Sequence, residues 1–543
     1  MAPFAPVAAK CRRCSLNEPQ EISCAPRQGR RRTGGREGKR GRPRATRTLQ
    51  APYVERRIGA YKVLSEEGLE LIEHNADTIL QEVGMDFRGD PEILDILRDA
   101  GADVRGENVR FERGMCRRII QATAPREFTY HARNPARSAH FGGASAIFAP
   151  CMGAPFVHDL DEGRRYATLA DTQNLRKIAH SLETLHTAGA HIAEATDIPI
   201  PERHLHDVHD QFVLSDKPIG GAVNAPERAL DTVNMAKIAF GEDFLENNAC
   251  IYAGLNTNSP LVFDVTMMGA LKVYARHNQP VLVSPYILSG AMGPVTVAGC
   301  LAQQLAEALG GLVLTQLIRP GAPCVIGTFI GTVSMQSGSP TFGTPESLLG
   351  ITVAAELGRR LGVPVNCAGG AVTSSKIPDA QAAHESALTL TTTFLAGVNM
   401  IPHSAGWLEG GLSAGYEKMI LDSDLCGTLQ VYSQNLDLSV EGQALDAVRE
   451  VGPGAHYMGA QHTQRHFETA FWRSATADSR TYEQWSEEGG LDAATRANAI
   501  WKRILREYEQ PPIDPGIAEA LREYRDRRLR EIRSAGTNEQ QGS

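Results

Sequence analysis

Residues 319–372, RPGAPCVIGTFIGTVSMQSGSPTFGTPESLLGITVAAELGRRLGVPVNCAGGAV, contain one full structural period of this chain. The run PCVIGTFI is short, apolar and entered through Pro, as a buried strand is. GTPESLLGITVAAELGRRLG then reads as a helix with an N-cap at Thr344, Pro345 at its first position and Glu346 in its first turn. Arg359 and Arg360 fall in its last turn, before Gly362. PVNCAGGAV returns as a second strand. A strand, a helix and a strand in this order define a βαβ unit and a parallel pair.

The same texture recurs on both sides. TLHTAGAHIA, KPIGGAVN, ACIYAGLN, PVLVSPYIL and VNMIPHSAG are further short runs, separated by helical stretches. Seven such units predict an α/β fold of the (β/α)8 barrel type over residues 166–435. The eighth strand is expected as an irregular piece near residues 427–435. No GxGxxG follows the first strand, which argues against a dinucleotide-binding fold. Residues 51–165 read as an N-terminal helical segment with a small β element. Its helices are capped by Ser65 and Asp90 and ended by Gly84 and Gly101. Residues 436–543 read as a helical C-terminal segment whose last part, DPGIAEALREYRDRRLREIRSAG, is expected to be solvated.

Charge is distributed unevenly. Residues 1–50 hold thirteen Lys/Arg against three Glu, a balance of +10, which leaves −18 for the rest of a chain whose total is −8. The basic head lacks apolar residues to bury and is expected to be disordered. The acidic body argues against a nucleic-acid binder. No run of 18 apolar residues occurs, so no membrane span is expected. Ten scattered Cys fit a reducing cytoplasm better than a disulfide framework. Cys11-x-x-Cys14 has no second pair to complete a zinc site.

In a barrel the chemistry sits at the C-terminal ends of the strands. Those ends carry Asn224, Asn256, Asn258, Tyr286, Phe329, Ser375, His403, Trp407, Glu409 and Tyr416 among many glycines. HLHDVHD puts His204, His206 and His209 close together, the basis for a rival reading as a metal-dependent barrel hydrolase. No later ligand completes that set, and no H-E-x-x-H, G-x-S-x-G or Walker loop occurs. Lys376 lies in a loop, not inside a strand.

TSSKIPDAQAAHESALTLTTTFLAGVNMIPHSAGWLEGGLSAGYEKMILDSDLCG, with RPGAPCVIGTFIGTVSMQSGSPTFGTPES before it, resembles the trimethylamine methyltransferase family. PFVHDLDEGRRYATLADTQNL and GAHYMGAQHTQRHFETAFW share the likeness, which runs from about residue 60 to 530 and leaves the basic head outside. The resemblance implies a (β/α)8 barrel that passes a methyl group from a methylated amine to the cobalt of a separate corrinoid protein. Members acting on trimethylamine carry pyrrolysine in the loop before DAQA. That position falls on Ser375, or within a residue or two of it, so the chain resembles the non-pyrrolysine branch. The implied substrate is a quaternary (or tertiary) methylamine such as a betaine. Substrate contacts are then expected from Tyr286, Phe329, Trp407 and Glu409, with His403 near a carboxylate. No metal and no cofactor bound in this chain are expected; the cobamide belongs to the partner, and a homo-oligomer is expected.

Overall fold

In the computed structural model, seven parallel strands follow one another through the chain, each preceded or followed by helix. The structure describes residues 51–541, so the expectations for the basic head and for Cys11-x-x-Cys14 lie outside the described residues. The strands are β1 (Ser145–Pro150), β2 (Ile219–Gly220), β3 (Ile251–Leu255), β4 (Val281–Val283), β5 (Tyr286–Ser289), β6 (Cys324–Val333), β7 (Val365–Cys367) and β8 (Met400–Ala405), with β5 continuing β4 past Pro285. The helices are α1 (Leu169–Ser181), α2 (Arg203–Leu214), α3 (Pro226–Phe240), α4 (Val265–Arg276), α5 (Val297–Ile318), α6 (Pro345–Leu361), α7 (Ala380–Leu395) and α8 (Tyr416–Tyr432).

The ladders run parallel from β2 through β3, β4, β6, β7 and β8 to β1, and form a curled sheet in a mixed α/β fold. The signals read for α6 hold: Thr344 Oγ1 accepts from Ser347 N–H, Pro345 opens the helix, and Gly362 closes it in the left-handed region. Asp379 caps α7 in the same way, through Ala382 N–H.

The strands alternate as a sheet covered on both faces requires. Ile147, Ala149, Tyr252, Leu282, Val325 and Met400 cluster on one face with Tyr130 and Phe141, which belong to the hairpin Phe128–Tyr130/Ala139–Phe141. Ile251, Ala253, Val281, Val283, Ile326 and Val365 join the larger cluster between sheet and helices.

Three expectations need correction. The strand Ser145–Pro150, read as part of the N-terminal element, pairs with β8 inside the main sheet. TLHTAGAHIA, read as the first strand, is irregular. His186 N–H donates to Phe148 O (2.8 Å) on β1, and Ala188 N–H donates to Pro218 O (2.9 Å) beside β2. The His186 ring also accepts from Phe148 N–H (2.9 Å), so a side chain takes over part of the ladder. Residues 427–432, where the eighth strand was expected, lie inside α8.

The helix Pro515–Gln541 is not merely solvated. Tyr524 Oη and Arg528 Nε each donate to Asp231 (both 2.7 Å), and Leu521 is buried. N-terminal helices Glu66–Thr78 and Met115–Thr123 pack on α5. Among the described residues α5 alone is long and apolar enough to cross a membrane, and most of it is buried inside the fold.

Candidate functional site

A cavity of about 450 Å³ opens at the C-terminal ends of the strands. The two-residue period explains it. Below the opening, the inward positions are large: Tyr252, Leu282 and Val325. Two residues on they are small, Gly254, Ser284 and Gly327. Two further on they are Asn256, Tyr286 and Phe329, which line the upper wall. A filled layer beneath a layer of small residues leaves a space that the rim aromatics enclose.

Tyr286 and Phe329 are Cα partners in the β5–β6 ladder, and their ring centroids lie 4.9 Å apart. His403 enters by a different device. The register of β8 shifts between Ile401 and Ala405, and His403 adopts φ +57°. Such irregularities re-aim side chains near functional sites. Gly370 permits this backbone course, because a Cβ there would lie 2.4 Å from the His403 carbonyl. Trp407 follows Gly406, and its ring lies 4.3 Å from His403 and 5.9 Å from Phe329.

The wall is uncharged. Burial, and then the nearby His191, push the His403 imidazole down to about 3, so it is neutral at ordinary pH. Burial raises the Tyr286 phenol. Asn366 Nδ2 donates to Tyr252 Oη (2.8 Å). Three buried polar atoms on the wall have no hydrogen-bond partner: Asn366 Oδ1, His403 Nδ1 and Trp407 Nε1. Unpaired buried polar atoms cost about 1–3 kcal/mol each, and these three face one cavity where a ligand could meet them.

The structure brings together Tyr286, Phe329, His403 and Trp407, with Asn224 and Asn256. It does not bring Ser375 or Glu409 to the cavity wall. Ser375 is buried in the loop after β7, where its Oγ donates to Asp379 Oδ1 (2.8 Å) and Ile377 O (3.0 Å). The Glu409 carboxylate accepts from Arg164 Nε and Ser413 Oγ, both at 2.7 Å. Glu409 N–H donates to Ser375 O (2.7 Å), so the two residues join neighbouring loops behind the wall. Asn258 pairs with Asp264, and Tyr416 with Asp171, both away from the cavity. Lys376 Nζ donates to the carbonyl of Ser374, two residues before it (3.0 Å).

The histidine set behind the hydrolase reading does not converge. His204 pairs with Asp231 (2.9 Å) and His209 with Asp210 (3.1 Å). Among the described residues the group with metal-ligand proximity is Glu441, His462 and His466, in the C-terminal segment. Its Glu441 already pairs with Arg465 (2.8 Å). Sequence reasoning missed Tyr252, Asn366 and His191. The first two were legible as polar atoms inside otherwise apolar strand runs.

The sequence model of the trimethylamine methyltransferase family matches residues 30–533, and the chain belongs to that family. The match begins inside the basic head, which had been expected to lie outside the likeness. The glycine betaine methyltransferase of Desulfitobacterium hafniense (strain Y51) is 37% identical over 473 residues, 87% of this chain and 98% of that protein. A trimethylamine methyltransferase of D. hafniense (strain DSM 10664 / DCB-2) is 28% identical, covering 84% and 92%. The proline betaine:corrinoid methyltransferase of Eubacterium limosum is 27% identical, covering 77% and 87%.

Proposed function

We propose that this chain moves a methyl group from a quaternary methylammonium compound of the betaine type to the cobalt of a corrinoid carried by a separate protein. The single observation that carries this reading is the neutral aromatic wall of Tyr286, Phe329, His403 and Trp407. A quaternary ammonium has no N–H to donate, so ring faces bind it, at about 0.5–2 kcal/mol each. A neutral His403 adds no repulsion.

The reaction asks little acid–base work of this chain. When the methyl leaves, the C–N electron pair stays on nitrogen, and the leaving group is a neutral tertiary amine that needs no proton. The corrinoid is the methyl acceptor and supplies the electron pair of the new bond. The protein's part is to strip water from the cation and aim one methyl outward. The titratable groups on the wall, the neutral His403 imidazole and the Tyr286 phenol raised by burial, are held uncharged, which fits a transfer that moves no proton, as does Ser375 standing near the position that holds pyrrolysine in the trimethylamine branch. Ile200, Val295, Met335, Ile377 and Leu412 are exposed apolar residues on the loops at this end of the sheet. They suit the docking of a partner that brings the acceptor. The described cysteines are all free and buried, as a reducing cytoplasm allows.

The same reading takes the sheet as a closed (β/α)8 barrel whose irregular second strand is the seam at residues 186–190. The hydrogen bonds from that seam to Phe148 on β1 and to Pro218 beside β2 support closure. It keeps residues 51–165 and 436–543 as flanking segments, apart from β1.

The test presents the purified chain and cob(I)alamin with glycine betaine, proline betaine, carnitine, choline, tetramethylammonium and trimethylamine, and follows loss of the cob(I)alamin absorbance. Turnover with at least one quaternary compound, with its tertiary amine as product, is expected. Turnover with trimethylamine alone would overturn the reading.

A further inference from the structure

Lys418 and Asp422 form an ion pair one turn apart on α8, and both side chains are buried. Lys418 Nζ lies 2.6 Å from each carboxylate oxygen. It also donates to Ser386 Oγ (2.8 Å) on α7 and to Ala371 O (3.2 Å) in the loop after β7. Asp422 Oδ2 accepts from the backbone N–H of Gly406 (2.9 Å), just past the end of β8. Neither side chain lines the aromatic cavity. Both lie on a separate cavity of about 520 Å³ between α7 and α8, lined mainly by alanines and leucines.

Stability does not account for the pair. Burial raises the Asp422 carboxyl to about 6 even with the Lys418 ammonium against it, so at neutral pH the fold bears the cost of keeping that carboxylate charged. Apolar side chains of similar size often replace a buried ion pair with no loss of stability.

The backbone partners of the pair show what it holds. His403 has φ +57° and Gly406 φ +94°. The His403 conformation is costly and persists only where its surroundings fix it. Ala371 N–H donates to His403 O (2.8 Å), and Ala371 O in turn accepts from Lys418 and from Ser386 Oγ (3.0 Å). At the other end, Asp422 takes the N–H of Gly406, and Gly406 O accepts from Gly415 N–H (2.8 Å). The short segment between the His403 and Trp407 rings is therefore tied at both ends to one ion pair.

We propose that the Lys418–Asp422 pair positions the aromatic wall, by fixing the backbone from His403 to Gly406 and with it the places of the His403 and Trp407 rings. Both are positioning residues that stand outside the cavity and act through backbone groups. The proposal rests on the reading under Proposed function and adds to it a determinant of cation affinity that lies behind the wall.

Calorimetric binding of glycine betaine and tetramethylammonium to the full chain tests this, beside thermal melting, on the unaltered protein, on the double variant Lys418→Met/Asp422→Leu and on Asp422→Asn. The double variant removes both charges and the acceptor for Gly406. It should melt at least as high as the unaltered protein and bind both ligands about tenfold weaker or worse. Asp422→Asn keeps an oxygen for the Gly406 N–H and leaves the ammonium without its counter-charge. It should melt lower and keep most of the affinity. A merely structural pair would make affinity follow melting temperature in both variants. Unchanged affinity in the folded double variant would overturn the proposal, as would a tenfold loss in folded Asp422→Asn, and either variant decides alone if the other does not fold. Loss of the fold in both would make the pair a requirement of folding and overturn the positioning role. Failure of both ligands to bind the unaltered protein would overturn the quaternary-ammonium reading, and this proposal with it.

Discussion

A Cβ added to Gly411 would lie 2.5 Å from Cη2 of Trp407, so the indole keeps its place only because residue 411 is glycine. Gly411 also has φ +96°, which side chains with a Cβ rarely adopt. Gly411→Ala should therefore displace the ring and weaken quaternary ammonium binding about two- to thirtyfold, the span of one cation–π contact. Binding calorimetry checks this, and unchanged affinity in the folded variant would separate Trp407 from the ligand.

Trp407→Leu keeps bulk and removes the π face. Affinity for a quaternary ammonium should fall by about 0.5–2 kcal/mol. A neutral analogue with a tertiary-butyl group in place of trimethylammonium should lose far less. Equal losses would show that Trp407 packs against the ligand without recognising its charge.

Ser375→Ala removes a hydroxyl that bonds Asp379 and Ile377 behind the wall. Methyl transfer should stay within about tenfold, or 1.4 kcal/mol of barrier. A thousandfold loss in initial rate, with the fold intact, would give this hydroxyl a part in the chemistry.

Acid should destabilise the fold through buried neutral histidines. Burial pushes His403 and His186 down to about 3 and His180 down to about 4. Their unfolded value is about 6.5. Below pH 6.5 the unfolded chain takes up protons that the native chain refuses, so their contribution is complete above that pH and is lost as pH falls toward 3. Asp422 works the other way, because burial raises its carboxyl to about 6 and the native state gains a proton first. Between pH 6 and 4 the buried histidines outweigh Asp422, so stability should fall as pH falls. Urea unfolding at several pH values reads this slope, and a flat or rising profile toward acid would refute it.

The local elements were legible in the sequence because their signals are local. Thr344, Pro345 and Gly362 bound α6, and Asp379 caps α7, from groups within a few residues of the backbone they satisfy. The aromatics at the strand exits were legible too, since alternation carries Phe329 and Tyr286 to one face. Neighbours across the sheet were not. Strand Ser145–Pro150 carries no mark that it pairs with residues more than 250 positions later. The seam at 186–190 uses a histidine ring and scattered amides instead of a regular ladder, and no residue pattern encodes that. Glu409 looked like a cavity carboxylate until Arg164, distant in the chain, was found to hold it elsewhere. Which charges find partners depends on contacts between distant segments, and those exist only once the chain has folded.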